Sequence, residues 1–296
     1  MKPLRWVILG MAALAVSATF VLAQSGLLGR VGHVVEGLVT GVAAEAEFAV
    51  DRGRGAAASQ SAVDFRWTGQ LAEGRSLEIK GINGSITAVP APGAEVVVTA
   101  EARGRRSDPN TVRIEVVEHG DGVTVCAVYP TPEGKRENYC AAEADGRMST
   151  NDNDVRVQFR VEVPRGVRFI GHTVNGTVEA LGLESDVRAI TVNGDIELST
   201  EGFAEAETVN GSIDAVVGSA DLGDGVSFST VNGSITLDLN DAVDADVDAS
   251  WLNGSFETDL PFALQGRMSR RSARGVLGDG GPRLELSTVN GSIRIR

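Results

Sequence analysis

The dipeptide Asn-Gly occurs at Asn83-Gly84, Asn175-Gly176, Asn193-Gly194, Asn210-Gly211, Asn232-Gly233, Asn253-Gly254 and Asn290-Gly291, and its neighbours recur with it. An apolar residue precedes every pair: Ile82, Val174, Val192, Val209, Val231, Leu252 and Val289. Another stands three positions after each Asn: Ile86, Val178, Ile196, Ile213, Ile235, Phe256 and Ile293. Through the middle of the chain the pairs are 17 to 22 residues apart, whereas the first gap is 92 and the last 37. A repeat of this kind restricts the chain to folds in which one small structural unit is laid down again and again.

The unit itself is readable. Asn and Gly both tolerate positive φ, so the pair is expected to turn the chain at little steric cost. After the turn, apolar and polar residues alternate, as in Ile235-Thr236-Leu237-Asp238-Leu239, with the period of a half-buried strand. A second breaker follows midway to the next pair: Gly182, Gly202, the stretch from Gly218 to Gly225, and Asn240-Asp241. Each unit thus reads as strand, corner, strand, Asn-Gly corner.

Two architectures fit. Asn-Gly between alternating runs is a strong hairpin signal, which allows an antiparallel meander. In a β-solenoid each unit is instead one coil, and like residues stack on like. The solenoid accounts better for a string as specific as Thr-Val-Asn-Gly, because stacked Asn side chains can hydrogen-bond along the axis. The expected fold is all-β, with regular Asn-Gly-cornered coils over 167–296. The last gap corresponds to two coils or to one coil carrying an excursion.

Between Ile86 and Val174 the period lapses, and 64–166 reads as a β-rich N-terminal portion stacked on the coils. Longer strands are expected at 95–100, 111–118, 123–129 and 155–163. Ser107-Asp108-Pro109-Asn110 and Gly120-Asp121-Gly122 supply turns between them, and Pro164-Arg165-Gly166 closes the stretch.

Lys2 and Arg5 precede an almost wholly apolar run that ends in the small residues of Val21-Leu22-Ala23, so residues 1–23 read as a secretory signal. Uncut, the run is just long enough to cross a bilayer. The small residues favour cleavage, which would leave no stable membrane span. No Cys lies near the cleavage site, so lipid anchoring is not expected. Residues 24–63 form a Gly/Ala-rich lead-in or linker. Leu27, Val31, Val35, Leu38 and Val42 have helical spacing, but Gly29, Gly32, Gly37 and Gly41 weaken any helix. Export places Cys126 and Cys140 in an oxidising compartment, where they are expected to form one disulfide worth about 3 kcal/mol in the chain-entropy model. It would pin a hairpin loop between Tyr129 and Tyr139.

The formal net charge of −13 argues against a nucleic-acid partner, because phosphate binding draws on clustered Lys and Arg. His33, His119 and His172 lie far apart in sequence and show no zinc spacing, and no nucleophile motif is present. Asp238, Asp241, Asp244, Asp246 and Asp248 could suggest Ca²⁺. Val243, Ala245, Val247 and Ala249 alternate with them, however, so the acids read as the wet face of a strand. Asn151-Asp152-Asn153-Asp154 reads as a polar turn. The Asn-x-Ser/Thr matches follow from the repeat and carry no weight as glycosylation sites. No cofactor or metal is expected.

A strand ending in Asn83-Gly84-Ser85-Ile86, a β stretch closing on Val161-Glu162-Val163-Pro164, several Thr-Val-Asn-Gly coils and a final Leu286-Ser287-Thr288-Val289-Asn290-Gly291-Ser292-Ile293 together resemble the bacterial "putative adhesin" family of exported β-solenoid domains. The resemblance covers about 64–296. It implies a right-handed β-solenoid at the cell envelope, without established catalysis, and some relatives are linked to envelope-stress signalling. The family motif consists of turn and core positions, so no catalytic residue carries over.

The expected function is that of a non-catalytic exported scaffold or adhesin-like surface, acting in the periplasm, at the cell surface or outside the cell on an unidentified envelope partner. A structural or stress-sensing partner of another envelope protein is the alternative. A polysaccharide-active enzyme is the reading from another class; it would need paired carboxylates or a carboxylate-Arg set on one face. Glu179, Glu197 and Asp214 are the outward acids that could supply them. Aromatic platforms for sugar are few: beyond the Phe residues there are only Trp67, Trp251, Tyr129 and Tyr139.

Overall fold

Alternation of apolar and polar residues yields strands with one buried face throughout the computed structural model, which describes residues 58–61, 64–142, 146–218, 225–239, 243–265 and 269–296. The expected signal, His33, almost all of the lead-in, and Asn240-Asp241 lie outside those residues. The N-terminal portion contains β1 (Ala58–Ser61), β2 (Phe65–Gln70), β3 (Ser76–Lys80), β4 (Ile86–Pro90), β5 (Glu95–Arg103), β6 (Arg113–His119), β7 (Gly122–Val128) and β8 (Arg156–Val163). The repeats supply β9 (Arg168–His172), β10 (Val178–Leu183), β11 (Val187–Ile190), β12 (Ile196–Thr200), β13 (Ala204–Asn210), β14 (Ile213–Val217), β15 (Val226–Asn232) and β16 (Ile235–Leu239). The C-terminal stretch adds β17 (Ala245–Asn253), β18 (Phe256–Thr258), β19 (Phe262–Leu264), β20 (Ser272–Leu277), β21 (Arg283–Asn290) and β22 (Ile293–Ile295). Strand β1 falls in the stretch expected to be linker and pairs antiparallel with β6.

The strands form two open sheets, neither closed into a barrel. One runs β1-β6-β7-β3-β9-β11-β13-β15-β21-β17-β20-β19, the other β18-β22-β16-β14-β12-β10-β4-β8-β5-β2. The strand before each Asn-Gly lies in the twelve-stranded sheet and the strand after it in the ten-stranded sheet. Successive units pair in parallel, as β11 does with β13 and β12 with β14. An antiparallel meander is therefore excluded for the repeats.

The core lies between the two sheets. The residue three after six of the seven Asn forms one inward row, Ile86-Val178-Ile196-Ile213-Ile235-Ile293, each fully buried and paired with the next, and the half-buried Phe256 follows Ile293 at its end. Burying a side chain of this size contributes roughly 1.5–3 kcal/mol. The opposing sheet answers with Ile79-Gly171-Ala189-Ala206-Phe228-Leu286-Ala249, where small residues predominate. At Gly171 an added Cβ would lie 3.1 Å from Val178 and 3.2 Å from the Phe169 ring. A narrow core with little room for rings agrees with the low aromatic content of 5%.

The order of units in space departs from their order in sequence at both ends. β21 and β22, the last strands of the chain, insert between the unit of β15 and β16 and the unit of β17 and β18. The 37-residue gap is one unit carrying an excursion, the antiparallel strands β19 and β20. At the other end, β3 and β4 are held between β7/β8 and β9/β10. The segment joining β7 to β8 consequently passes from one sheet to the other and does not form the expected hairpin loop. Beyond β7 and β8 the sheets continue with antiparallel β6, β5 and β2. Trp251, Phe256 and Phe262 close the far end of the core, Trp251 stacked on Phe256 with centroids 5.8 Å apart.

Candidate functional site

Every position of the Thr-Val-Asn-Gly-Ser string touches the neighbouring unit. The Asn side chains form a ladder in which each Nδ2–H donates to the Oδ1 of the next. Asn175 donates to Asn83 and Asn193 to Asn175, each at 2.9 Å, and Asn210 donates to Asn193 at 2.8 Å. Asn232 donates to Asn210 (2.9 Å), Asn290 to Asn232 (2.7 Å) and Asn253 to Asn290 (2.8 Å). At its start the ladder is tied off by the Asn153 carbonyl, which accepts from Asn83 at 3.5 Å. The polar turn of residues 151–154 thus anchors the first repeat. Asp154 in the same turn accepts from the backbone N–H groups of Ser107 and Arg106, and these hold its carboxyl down at about 2.

The glycines have a different role from the one expected of a turn. Among the described residues Asp152 alone, apart from glycines, has positive φ, so none of the seven Asn is left-handed. Gly176, Gly194, Gly211, Gly233 and Gly291 do not have positive φ either. A Cβ on any of them would overlap the carbonyl of the glycine in the preceding unit. Close backbone approach between units therefore demands glycine there. The two outer glycines, Gly84 and Gly254, do have positive φ.

Thr has a function that the spacing alone does not disclose. The hydroxyls of Thr173, Thr191, Thr208, Thr230 and Thr288 donate to the carbonyls of Gly84, Gly176, Gly194, Gly211 and Gly233, at 2.8 to 3.0 Å. Ser Oγ atoms continue the pattern: Ser212 accepts from the Ser234 N–H and Ser234 from the Ser292 N–H, both at 3.2 Å. Thr208→Val keeps the shape but strips the hydroxyl from a half-buried acceptor, so a loss of about 1 kcal/mol is expected in urea unfolding. Thr99→Val, at an exposed bond, serves as the near-neutral comparison.

With the coils locked in register, outward residues line up across strands. In the ten-stranded sheet one row reads Arg160-Thr87-Glu179-Glu197-Asp214-Thr236-Arg294-Glu257. Three acids stand side by side on neighbouring strands, which are about 4.8 Å apart. None of the three has a basic partner among the described residues. Leu181 and Val216, on the same outward face, are 38% and 47% exposed. In the twelve-stranded sheet several outward charges are paired, Arg188 with Glu205 (3.2 Å), Arg274 with Asp248 (3.3 Å) and Arg283 with Asp248 (3.2 Å), while burial and the neighbouring Glu205 hold the Glu207 carboxyl above the usual range.

The acids weighed for Ca²⁺ do not converge. Asp238 is paired with Arg296, Asp248 with the two Arg just named, and Asp244 accepts from the Asp279 N–H at 2.8 Å. Val243, Ala245, Val247 and Ala249 are buried on the opposite face. No group of three potential metal ligands occurs among the described residues.

Cys126 and Cys140 are joined, with Cα atoms 5.7 Å apart. Beside them lies a polar network that sequence spacing does not reveal. Thr124 Oγ1 donates to Glu78 Oε2 at 2.8 Å, and the Lys80 ammonium lies 3.3 Å from Glu78 Oε1 and donates to the Ala141 carbonyl at 2.9 Å. Since the Thr124 proton goes to Glu78, His119 Nε2–H is the donor in its 3.1 Å contact with Thr124. His172 approaches Glu78 Oε1 at 3.9 Å, so two histidines distant in sequence meet this network, one at Glu78 and one at Thr124. Burial pushes the His172 ring down to about 3, helped by the Lys80 and Arg188 charges. A third of the ring remains exposed, which weakens the desolvation, but both cations act in the same direction and the ring is neutral at pH 7. Glu73, Arg75, Glu78, His119, Asp121 and Arg168 line a cleft of about 410 Å³ here. A buried ion pair is sustained only when its remaining valences are filled. Here they are filled by Thr124 and by the carbonyl of Ala141, the residue after Cys140, so the network holds the end of the disulfide-closed segment to the sheet. Tyr129 holds it from the other end: its buried hydroxyl donates to the Val155 carbonyl at 2.9 Å, and burial pushes its pKa up to about 12.

No helix among the described residues is long and apolar enough to cross a membrane. No curated protein matches the sequence. Among solved structures the chain is similar to a putative cell adhesion protein from Clostridium sporogenes, at 10% identity over 78% of this chain and 98% of that one, with a TM-score of 0.43. It is also similar to a putative adhesin from Bacteroides fragilis, at 12% identity over 79% of this chain and 97% of that one, with a TM-score of 0.31. Residues 143–296, just over half of the chain and six of its seven Asn-Gly pairs, match the Toastrack DUF4097 model, and the chain belongs to the Toastrack DUF4097 family.

Proposed function

We propose that this chain is a non-catalytic, exported β-solenoid whose ten-stranded sheet presents a binding face to a partner at the cell envelope. The carrying observation is the row Glu179-Glu197-Asp214, three uncompensated acids in register beside exposed Leu181 and Val216. Like charges on neighbouring strands destabilise a sheet by a few tenths of a kcal/mol each. On the opposite sheet Arg188, Arg274 and Arg283 each pair with an outward acid, whereas this row sets three acids in succession with no basic partner among the described residues. A partner offering cationic groups around an apolar strip would relieve the repulsion and cover the exposed side chains.

The signal-like residues 1–23 support export, and residues 64–296 are the functional domain in this reading. The coils are right-handed by the general rule for crossovers between parallel strands, with the Asn-Gly pairs as their corners. Hydrolysis of a polysaccharide fits less well, because a catalytic acid must be kept protonated in a sheltered site, and Glu197 and Asp214 stand exposed on a flat face.

The triple variant Glu179→Gln, Glu197→Gln, Asp214→Asn tests the reading. It is expected to melt at the same temperature as the parent or higher, because repulsion is removed, and to lose capture of envelope material by the immobilised protein. A single captured protein would identify a structural or stress-sensing partnership, and retention on whole cells an adhesive one. Undiminished capture by the triple variant would sink the assignment of this face.

A further inference from the structure

Six of the seven Asn-Gly pairs are protected by the unit stacked on them. The N–H groups of Gly84, Gly176, Gly194, Gly211, Gly233 and Gly291 donate to the carbonyls of Asn175, Asn193, Asn210, Asn232, Asn290 and Asn253, at 2.9 to 3.1 Å. Gly254 belongs to the outermost unit. Its N–H donates no hydrogen bond to any described residue, and both Asn253 and Gly254 are exposed. The Asn253 amide is also held on one side only: it donates to Asn290, while its own Oδ1 accepts nothing among the described residues.

We infer that Asn253-Gly254 is a built-in site of spontaneous deamidation, the one Asn-Gly pair of the folded protein open to this chemistry. The Gly254 backbone nitrogen attacks Cγ of Asn253, forming a five-membered succinimide and releasing the side-chain nitrogen as ammonia. Water then opens the ring at either carbonyl, giving aspartate or isoaspartate, and no oxidant or cofactor takes part. The nitrogen must shed its proton and turn toward Cγ. In the other six pairs that proton is engaged by the next unit, and rotation of the amide would break side-chain hydrogen bonds on both sides of the Asn.

The product changes the end of the stack. Aspartate at 253 has no N–H to give to Asn290 Oδ1 and sets a carboxylate against that oxygen. The outermost unit, which carries Trp251 and Phe256, is thereby loosened with time. The exposed end of the solenoid acts as a slow chemical clock that the inner repeats lack.

The test is peptide mapping by mass spectrometry of the full-length folded protein aged in mildly alkaline buffer. Conversion at Asn253 is expected to exceed that at each of the other six Asn-Gly sites by about fivefold, the factor that breaking one backbone hydrogen bond implies. In denaturant all seven sites should convert at similar rates, since each is the same dipeptide. Uniform conversion of the folded protein, or an Asn253 no faster than the inner sites, would overturn the inference.

Discussion

Gly211→Ala is expected to destabilise the protein by more than about 3 kcal/mol, the range reserved for overpacking that cannot relax. The added Cβ would overlap the carbonyl group of Gly194 in the unit below. Relief would require the two units to separate at this position. That would cost the Asn210–Asn193 and Thr208–Gly194 hydrogen bonds together. Gly93→Ala is the matched control, because a Cβ there meets nothing within 4 Å. Gly211→Asn separates the two reasons for glycine. If glycine served a left-handed turn, Asn would restore much of the stability, since it tolerates that conformation. Close approach predicts that Asn is at least as damaging as Ala. Urea unfolding followed by circular dichroism reads all three variants. A Gly211→Ala protein within about 1 kcal/mol of the parent would refute the steric account.

The contrast between turn and approach shows where sequence reading stops. Alternation is a local signal, and strands expected at 95–100 and 123–129 appear as β5 and β7 with boundaries shifted by only a few residues. The repeated Asn invited stacking, because identical side chains at one period have few other reasons to recur. What glycine and Thr do could not be read in the same way, since each acts on a backbone atom of another unit. The acidic row becomes legible once units are aligned on their Asn residues: Glu179 and Glu197 each lie four positions after theirs, and so does Asp214. The Glu78 network was out of reach. Its partners Thr124, Lys80 and His172 come from three strands brought together by the insertion of β3 between β7 and β9. Insertion is invisible in a repeat, because every unit carries the same adhesive string and could stack on any other.

One residue does break that equivalence, and it leads to the second large effect. Deleting residues 283–296 is expected to release residues 245–277 from the stack, rather than simply shortening it by one repeat. In a sequential solenoid the last unit is the end, and its loss leaves the others in place. Here β21 and β22 sit inside the stack, and their removal takes out Leu284, Leu286, Ile293 and Ile295, all fully buried. Healing of the stack would require β17 to dock directly on β15. Trp251 prevents this: it occupies the position where Thr288 donates to the Gly233 carbonyl, and an indole ring is too large to sit where the small threonine hydroxyl meets that oxygen. β17 can therefore be an outer strand facing β21, but it cannot take β21's place. Hydrogen exchange on the truncated protein should show loss of protection throughout 245–277, while β9 to β14 retain theirs. Retained protection in 245–277 would mean that the units are interchangeable. Once protection is lost as expected, adding Trp251→Thr to the truncation should recover part of it, because it restores the hydroxyl that direct stacking on Gly233 requires.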